Sequence, residues 1–251
     1  MNDIPIVSVV MPAYNAERYI EEAIRSVQAQ TMENWELIVV DDHSADGTAA
    51  LIQTFADQDS RIRPIFSRIN RGAAGSRNLA LDMCRGQYVA FLDADDIWRP
   101  QKLEKQLEKA SATGADIIYC SYALFDESGK KCHADFVVEE QTTLEKMLVR
   151  SVMSCSTVLL SVSTIRTKRF PTNLYHEDYA FWQDLLRSGF TAVGVTEVLA
   201  GYRVISGSRS FNKLKSARNR WRVYRDYLKL PLIPSVKAMV GYAINGLKKY
   251  R

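Results

Sequence analysis

Four short apolar runs alternate with segments of helical period in the first 92 residues, and this rhythm constrains the fold more than any other feature. Ile6 to Met11 is valine-rich and broken by Pro12; Glu36 to Val40, Ile62 to Phe66 and Gln87 to Leu92 follow. Between them, Ile20, Ala23, Ile24 and Val27 recur at helical spacing behind Asn15, a candidate N-cap. Thr48 to Phe55 has helical character after the turn cluster Ser44 to Gly47, and Gly72-Ala73-Ala74-Gly75 opens a helix running to about Cys84. Strands that alternate with helices predict βαβ units, hence an α/β fold with a mainly parallel sheet and helices on both faces. Ligands of such sheets sit at the carboxyl ends of the strands. Pro12-Ala13-Tyr14-Asn15, Asp41-Asp42 and Asp93-Ala94-Asp95-Asp96 are therefore expected to line one crevice.

The last of these exits carries three carboxylates within four residues. Like charges so close repel, so something positive is expected to hold them, and an all-oxygen acidic cluster suits a hard divalent cation. A solvated turn is the competing reading, since Asp is a common turn residue. Neither G-x-G-x-x-G after the first strand nor G-x-x-x-x-G-K-[ST] occurs, which removes support for a nicotinamide-linked dehydrogenase or a P-loop NTPase.

Farther on, Lys102 to Ala112 reads as an amphipathic helix, Asp116 to Tyr122 as a strand and Glu127 to Lys130 as a hairpin tip. Thr142 to Arg150 reads as a helix, Ser156 to Leu160 as a strand, and Glu177 to Arg187 as a helix ended by Gly189. The four cysteines lack paired spacing, no export signal precedes the first strand, and a His/Cys zinc site is not expected.

Charge is segregated. Residues 1–200 hold 20 Lys/Arg against 28 Asp/Glu, whereas residues 201–251 hold 13 Lys/Arg against Asp226 alone. A globular unit over residues 1–205, in two halves that meet at residue 100, followed by a basic helical tail over 206–251 is the expected division. In the tail Val236, Met239, Val240, Ala243, Ile244 and Leu247 fall on one helical face with Lys237, Lys248 and Lys249 off it. That pattern fits an interfacial helix on an anionic membrane or a helix packed on the globular unit. No nucleic-acid module is present.

Val7-Ser8-Val9-Val10-Met11-Pro12-Ala13-Tyr14-Asn15, Glu36-Leu37-Ile38-Val39-Val40-Asp41-Asp42, Gly75-Ser76-Arg77-Asn78 and Phe91-Leu92-Asp93-Ala94-Asp95-Asp96 resemble, in order, the motifs of the family 2 glycosyltransferases, and His176-Glu177-Asp178 resembles that family's E-D motif. The resemblance covers roughly residues 5–205. It implies the GT-A fold and an inverting, metal-dependent transferase using a nucleotide sugar, a UDP-sugar foremost. The acceptor it implies is a glycan or polyprenyl-diphosphate-linked acceptor, and the location is cytoplasmic at the inner membrane face. A sugar nucleotidyltransferase and an inactive sugar-nucleotide or glycan-binding module are the alternatives.

By that resemblance Pro12, Ala13 and Tyr14 pack on the nucleobase, Asp42 (or its neighbour Asp41) meets the base edge, and Arg77 and Arg203 lie near the donor. Asp95, with Asp93, holds Mn2+ or Mg2+. Asp178, with Glu177 as the alternative, is the general base; Trp182 either stacks on a sugar or packs in the core. His43 departs from the family, which more often has a small residue there.

Overall fold

The structure is a computed structural model that describes residues 4–205 and 213–249. The valine-rich first run becomes β1 (Val7–Ala13), paired in parallel with β2 (Trp35–Asp41) and β4 (Tyr88–Phe91); β3 (Ile62–Phe66) lies outside β2, also parallel. Every residue of β2 is buried, as expected of a parallel strand covered on both faces. Alternate side chains feed two apolar layers. Val9, Met11, Leu37 and Val39 meet α1 (Ile20–Gln28), α2 (Thr48–Gln58) and α4 (Lys102–Thr113) on one side. Val10, Ile38, Val40 and Phe91 meet α3 (Gly72–Leu81) and α7 (Glu177–Arg187) on the other.

The second half turns the sheet mixed. β6 (Ile117–Phe125) and β4 each pair antiparallel with β7 (Leu159–Ser161). β8 (Ala192–Arg203) runs parallel to β6, and β5 (Ile97–Trp98) closes the far edge against it. The strand order is β3-β2-β1-β4-β7-β6-β8-β5, so pairing among the first four strands is all parallel. Smaller helices are α5 (Leu144–Val149) and α6 (Val162–Ile165); the C-terminal region forms α8 (Lys213–Arg222), a π-helical turn (Val223–Tyr227) and α9 (Leu232–Lys249).

Two local expectations are corrected, and of the two readings of Trp182 the structure bears out core packing. Asn15 does not cap α1, whose first residue is Ile20; at φ 48° it instead accepts from the Ala45 amide (2.8 Å) while its own amide donates to Ser44 Oγ, joining the loops after β1 and β2. The strand expected from Ser156 starts later, because Cys155–Thr157 form a 3-10 turn. Trp182 is fully buried among Phe91, Phe170 and Phe181, with ring centroids 5.2 to 5.8 Å away, so it packs the core and meets no sugar.

Lys102 is buried in the layer under α4. Its Nζ donates to Gln106 Oε1 (2.7 Å) and lies 3.9 Å from the Trp98 ring centroid. Burial pushes its pKa down to about 8. The unfolded chain, with a lysine near about 10.4, then binds more protons between the two values, so stability rises with pH across that window. Lys102→Met is expected to abolish the rise, worth roughly 3 kcal/mol at most by the shift. Chemical denaturation at pH 7.5, 9 and 10.5 checks it.

Candidate active site at the strand ends

The site is assembled from three strand exits and one helix start. At the end of β1, Pro12 is half-buried in the sheet, Ala13 is buried, and Tyr14 stands 55% exposed. A tyrosine ring left uncovered at this edge offers a flat apolar face with a polar tip. Ala13 O accepts from the Asp42 amide (2.8 Å), so the exits of β1 and β2 are tied together.

The two acids after β2 have different surroundings. Asp42 is buried and both its oxygens are engaged: Oδ1 accepts from the Arg71 amide (2.7 Å) and Oδ2 from the Gly72 amide (2.8 Å). These are orphan donors at the start of α3, where Gly72 turns through φ 70°. Asp42 thus fixes the helix that carries Arg77. Asp41 Oδ2 accepts from the Ser44 amide (3.3 Å), whereas Asp41 Oδ1 is buried with no hydrogen-bond partner among the described residues. His43, the departure from the family pattern, is exposed at φ 66°. A left-handed backbone favours small or flexible residues there and explains the family's preference without involving the imidazole in chemistry.

The acidic triplet after β4 is held by two arginines, as its self-repulsion requires. Arg77 is buried; its Nη2 donates to Asp93 Oδ1 (2.6 Å) and its Nη1 to Glu177 Oε1 (3.3 Å). Arg203, buried at the end of β8, donates through Nε to the Asp95 carbonyl (2.9 Å) and through its backbone amide to Asp96 Oδ1 (2.9 Å). Its remaining donors reach Glu22 and the Glu127 carbonyl, and its guanidinium lies over the Tyr19 and Phe125 rings.

Both arginines are therefore scaffold struts, bonded to protein acceptors through both Nη atoms of Arg77 and through Nε, Nη1 and Nη2 of Arg203, while Arg77 Nε has no partner among the described residues. Asp96 is fully buried, accepts from Ser156 Oγ (2.5 Å), and burial holds its carboxyl well above the usual range. Asp95 stays half-buried, and burial together with the charge of Asp93 pushes its pKa up to about 6. Among the described residues no group of three or more His, Cys, Asp or Glu could hold a metal alone. Asp93 and Asp95 supply oxygen ligands suited to a hard cation, and the crowded charge of Asp95 is what such a cation would relieve, so the residues fit a metal whose other ligands come from a diphosphate and water.

α7 brings in the acceptor-side acids. Glu177 is buried against Arg77. Asp178 is half-buried; Oδ1 accepts from the Tyr179 amide (2.7 Å), and Oδ2 has no hydrogen-bond partner among the described residues. Acids in a first helical turn are also favoured by the helix dipole. Through Arg77, the D-x-D exit and the E-D helix start meet at a single guanidinium. His176, just before α7, lies with Nε2 3.0 Å from Ser216 O on α8. Sequence reasoning did not single out Asp96 or Ser156 as determinants of this exit; the signal for Asp96 was only its place in the triplet, and Ser156 carried none.

The chain belongs to glycosyltransferase family 2: residues 8–165 match the family model described as "Glycosyl transferase family 2". It is 39% identical over 98% of its length, and 97% of the other protein's, to a putative teichuronic acid biosynthesis glycosyltransferase of Bacillus subtilis, TuaG. It is 35% identical over 98% of its length, and 95% of the other's, to an Escherichia coli UDP-Glc:alpha-D-GlcNAc-diphosphoundecaprenol beta-1,3-glucosyltransferase, WfgD. Among solved structures, S. aureus TarS 1–349 in complex with UDP-GlcNAc superposes with a TM-score of 0.75 at 20% identity, covering 96% of this chain and 72% of that 1–349 chain. A mannosyltransferase of Pyrobaculum calidifontis with GDP-Man and Mn2+ gives 0.74 at 18%, covering 99% and 72%. The fold is GT-A, and the protein is a glycosyltransferase.

The two acids after β2 separate experimentally. Asp42→Ala leaves two helix-start amides unpaired and is expected to lower stability by about 2 kcal/mol. Asp41→Asn is expected to leave the melting temperature within a degree or two but to weaken UDP binding about tenfold, the scale of one charge-assisted hydrogen bond. Thermal melts and calorimetric titration with UDP check both.

Proposed function

We infer that this protein is an inverting transferase that moves a sugar from a UDP-sugar to a hydroxyl of a glycan carried on a polyprenyl diphosphate, in surface polysaccharide synthesis. The observation that carries the reading is the buried Arg77 bridge between Asp93 and Glu177. It sets the acids suited to the donor diphosphate beside the helix start that presents Asp178. The relatives' names support the substrates: a UDP-Glc donor and a diphosphoundecaprenol acceptor in the E. coli enzyme, and UDP-GlcNAc bound to TarS. In this reading the work is done at the inner face of the cell membrane, where a lipid-linked acceptor would be met. Among the described residues no helix is long and apolar enough to cross a membrane.

In this reading Tyr14, with Pro12 and Ala13, receives the nucleobase, and the unpaired oxygen of Asp41 takes a donor from it or from the ribose. Asp42 acts one step back, by fixing the start of α3. Asp178 accepts the proton of the acceptor hydroxyl as that oxygen bonds to the anomeric carbon. The bond from that carbon to the diphosphate oxygen breaks on the opposite side, and the nucleoside diphosphate leaves with the electron pair. A low carboxylate pKa suffices because the hydroxyl acidifies as it bonds. Glu177, neutralised by Arg77, is a positioning residue. Asp95 with Asp93 would hold Mn2+ or Mg2+, which when bound supplies charge to offset the developing negative charge on the diphosphate. Arg77 orients Asp93 for that role.

Asp178→Asn keeps the shape and removes the proton acceptor, so turnover is expected to fall about 10²-fold or more, with donor affinity within about twofold. Glu177→Gln is expected to act mainly on stability, through the bridge. Single-turnover rates measured well below both melting temperatures decide: a crippled Glu177→Gln beside a near-normal Asp178→Asn transfers the base role to Glu177.

Metal dependence is read separately. Excess EDTA or Asp95→Ala is expected to abolish transfer and to weaken UDP binding, and added Mn2+ to restore only the EDTA-treated wild type. Full activity in EDTA would remove the metal from this reading.

A further inference from the structure

A helix that packs on a soluble domain normally turns its apolar stripe inward. α9 does the opposite. Apart from Met239, which packs partly buried on the core, its inward face is small or polar: Ser235 and Ala238 are buried, Gly241 lies against Val149 of α5, Tyr242 Oη is 3.0 Å from Ser216 Oγ on α8, and Asn245 Nδ2 donates to the Val149 carbonyl (3.2 Å). Its outward face carries Ile233, Val236, Val240 and Ile244, which are 70%, 46%, 53% and 48% exposed. These positions fall at the spacing of one helical face, and Leu232 extends the patch at the N-terminal end. Leu247 of the expected stripe, and Lys248 and Lys249 expected off it, have side chains outside the described set. Contiguous apolar surface of this kind marks an interaction site.

The fringe says what kind. Lys237 sits at the edge of the stripe and is exposed, as are Lys229 just before the helix and Arg218 and Arg222 on α8. An acidic or neutral protein partner would suit some of this, but an apolar face with long cationic side chains at its margin matches a bilayer interface: the apolar side chains enter the acyl boundary while the cations reach lipid phosphates.

We propose that α9 lies flat on anionic membrane through Ile233, Val236, Val240 and Ile244, with Lys229 and Lys237 on the headgroups. This deepens the lipid-linked acceptor reading and rests on it only for the purpose of docking, not for the surface itself. The surface is joined to the base end of α7 by a short chain of contacts: Tyr242 Oη to Ser216 Oγ, Ser216 to His176 Nε2 at 3.0 and 3.3 Å, and His176 directly preceding Glu177 and Asp178. Docking by this face would thus hold the acceptor side of the site at a fixed place relative to the bilayer.

The test uses full-length protein and lipid alone, without donor or acceptor. Wild type is expected to co-sediment with vesicles of phosphatidylglycerol and phosphatidylcholine in about equal parts. It should bind pure phosphatidylcholine at least about fivefold less, and raising salt from about 0.1 M to about 1 M, which shrinks the Debye length from about 10 to about 3 Å, should release much of it. The double variant Ile233→Glu/Val240→Glu changes only exposed side chains and is expected to lose vesicle binding about tenfold or more, with an unchanged melting temperature and UDP affinity. Ile233→Leu/Val240→Leu should bind as wild type does.

Wild type that fails to sediment, or a Glu variant that sediments normally, overturns the proposal. So does light scattering that shows a wild-type dimer converted to monomer by the Glu variant with no vesicle binding by wild type, since the face then pairs two copies. Vesicle binding by a protein that shows no sugar transfer would sink the transferase reading alone and leave this surface standing.

Discussion

The buried Arg77 guanidinium is the interaction on which the rest of the site depends. One donor pair joins two segments far apart in the chain, Asp93 after β4, 16 residues from the arginine, and Glu177 at the start of α7, 100 residues from it. Removing a charge from water is expensive unless it is paired and hydrogen-bonded, and here one cation answers two carboxylates that would otherwise repel. Either acid alone would leave the arrangement short of a partner, and Arg77 Nε already lacks one among the described residues. The arginine in turn depends on where α3 begins, and that start is fixed by Asp42 through two backbone amides. A chain of dependence therefore runs from the β2 exit through α3 to both halves of the candidate site.

Arg203 performs the corresponding task on the other side of the triplet. It comes from the end of β8, a strand in the acceptor half, and reaches the Asp95 carbonyl and Asp96 while sandwiched between Tyr19 and Phe125. Aromatic faces accommodate a guanidinium without the strong hydration an ammonium demands. The acidic exit is thus clamped by two arginines from different elements before any metal or donor is considered. Part of the repulsion read from the sequence is answered by the protein itself, and Asp95, whose pKa burial and then the charge of Asp93 push up to about 6, remains half-buried rather than sealed into the core.

The nucleotide half of the fold was legible because its signal is local. Each strand is a short β-branched run, each helix shows its apolar residues at helical spacing, and Ile20, Ala23, Ile24 and Val27 are all buried as that spacing predicts. The acceptor half was less legible because its strands are defined by their partners. β8 carries Gly194, Thr196, Glu197 and Gly201, which blur any period of two, and its register against β6 slips between Cys120 and Tyr122. β5 is two residues long and exists only as an edge against β8. The motifs located the site, but residue types could not reveal that Arg77 and Arg203 face inward, because an arginine in a motif reads the same whether it meets a ligand or a buried carboxylate.

The acids show the same limit more sharply, and a regularity with it. Each acidic group at the crevice divides its labour. Asp42 is spent on helix amides while Asp41 keeps a buried oxygen unpaired; Asp96 is spent on Ser156 and the Arg203 amide while Asp95 stays partly open; Glu177 is spent on Arg77 while Asp178 keeps one oxygen without a partner. In each case one carboxylate is taken up by the protein's own donors while its neighbour is less fully engaged. Adjacent residues on a turn or a first helical turn point in different directions, so a doublet is the shortest sequence that can both anchor a backbone to the core and present a charge to the crevice. A lone acid would have to choose. On that argument the doublets are the structural solution to placing charge at the end of a buried sheet, and which member is available follows from which oxygens the backbone amides and arginines have already taken.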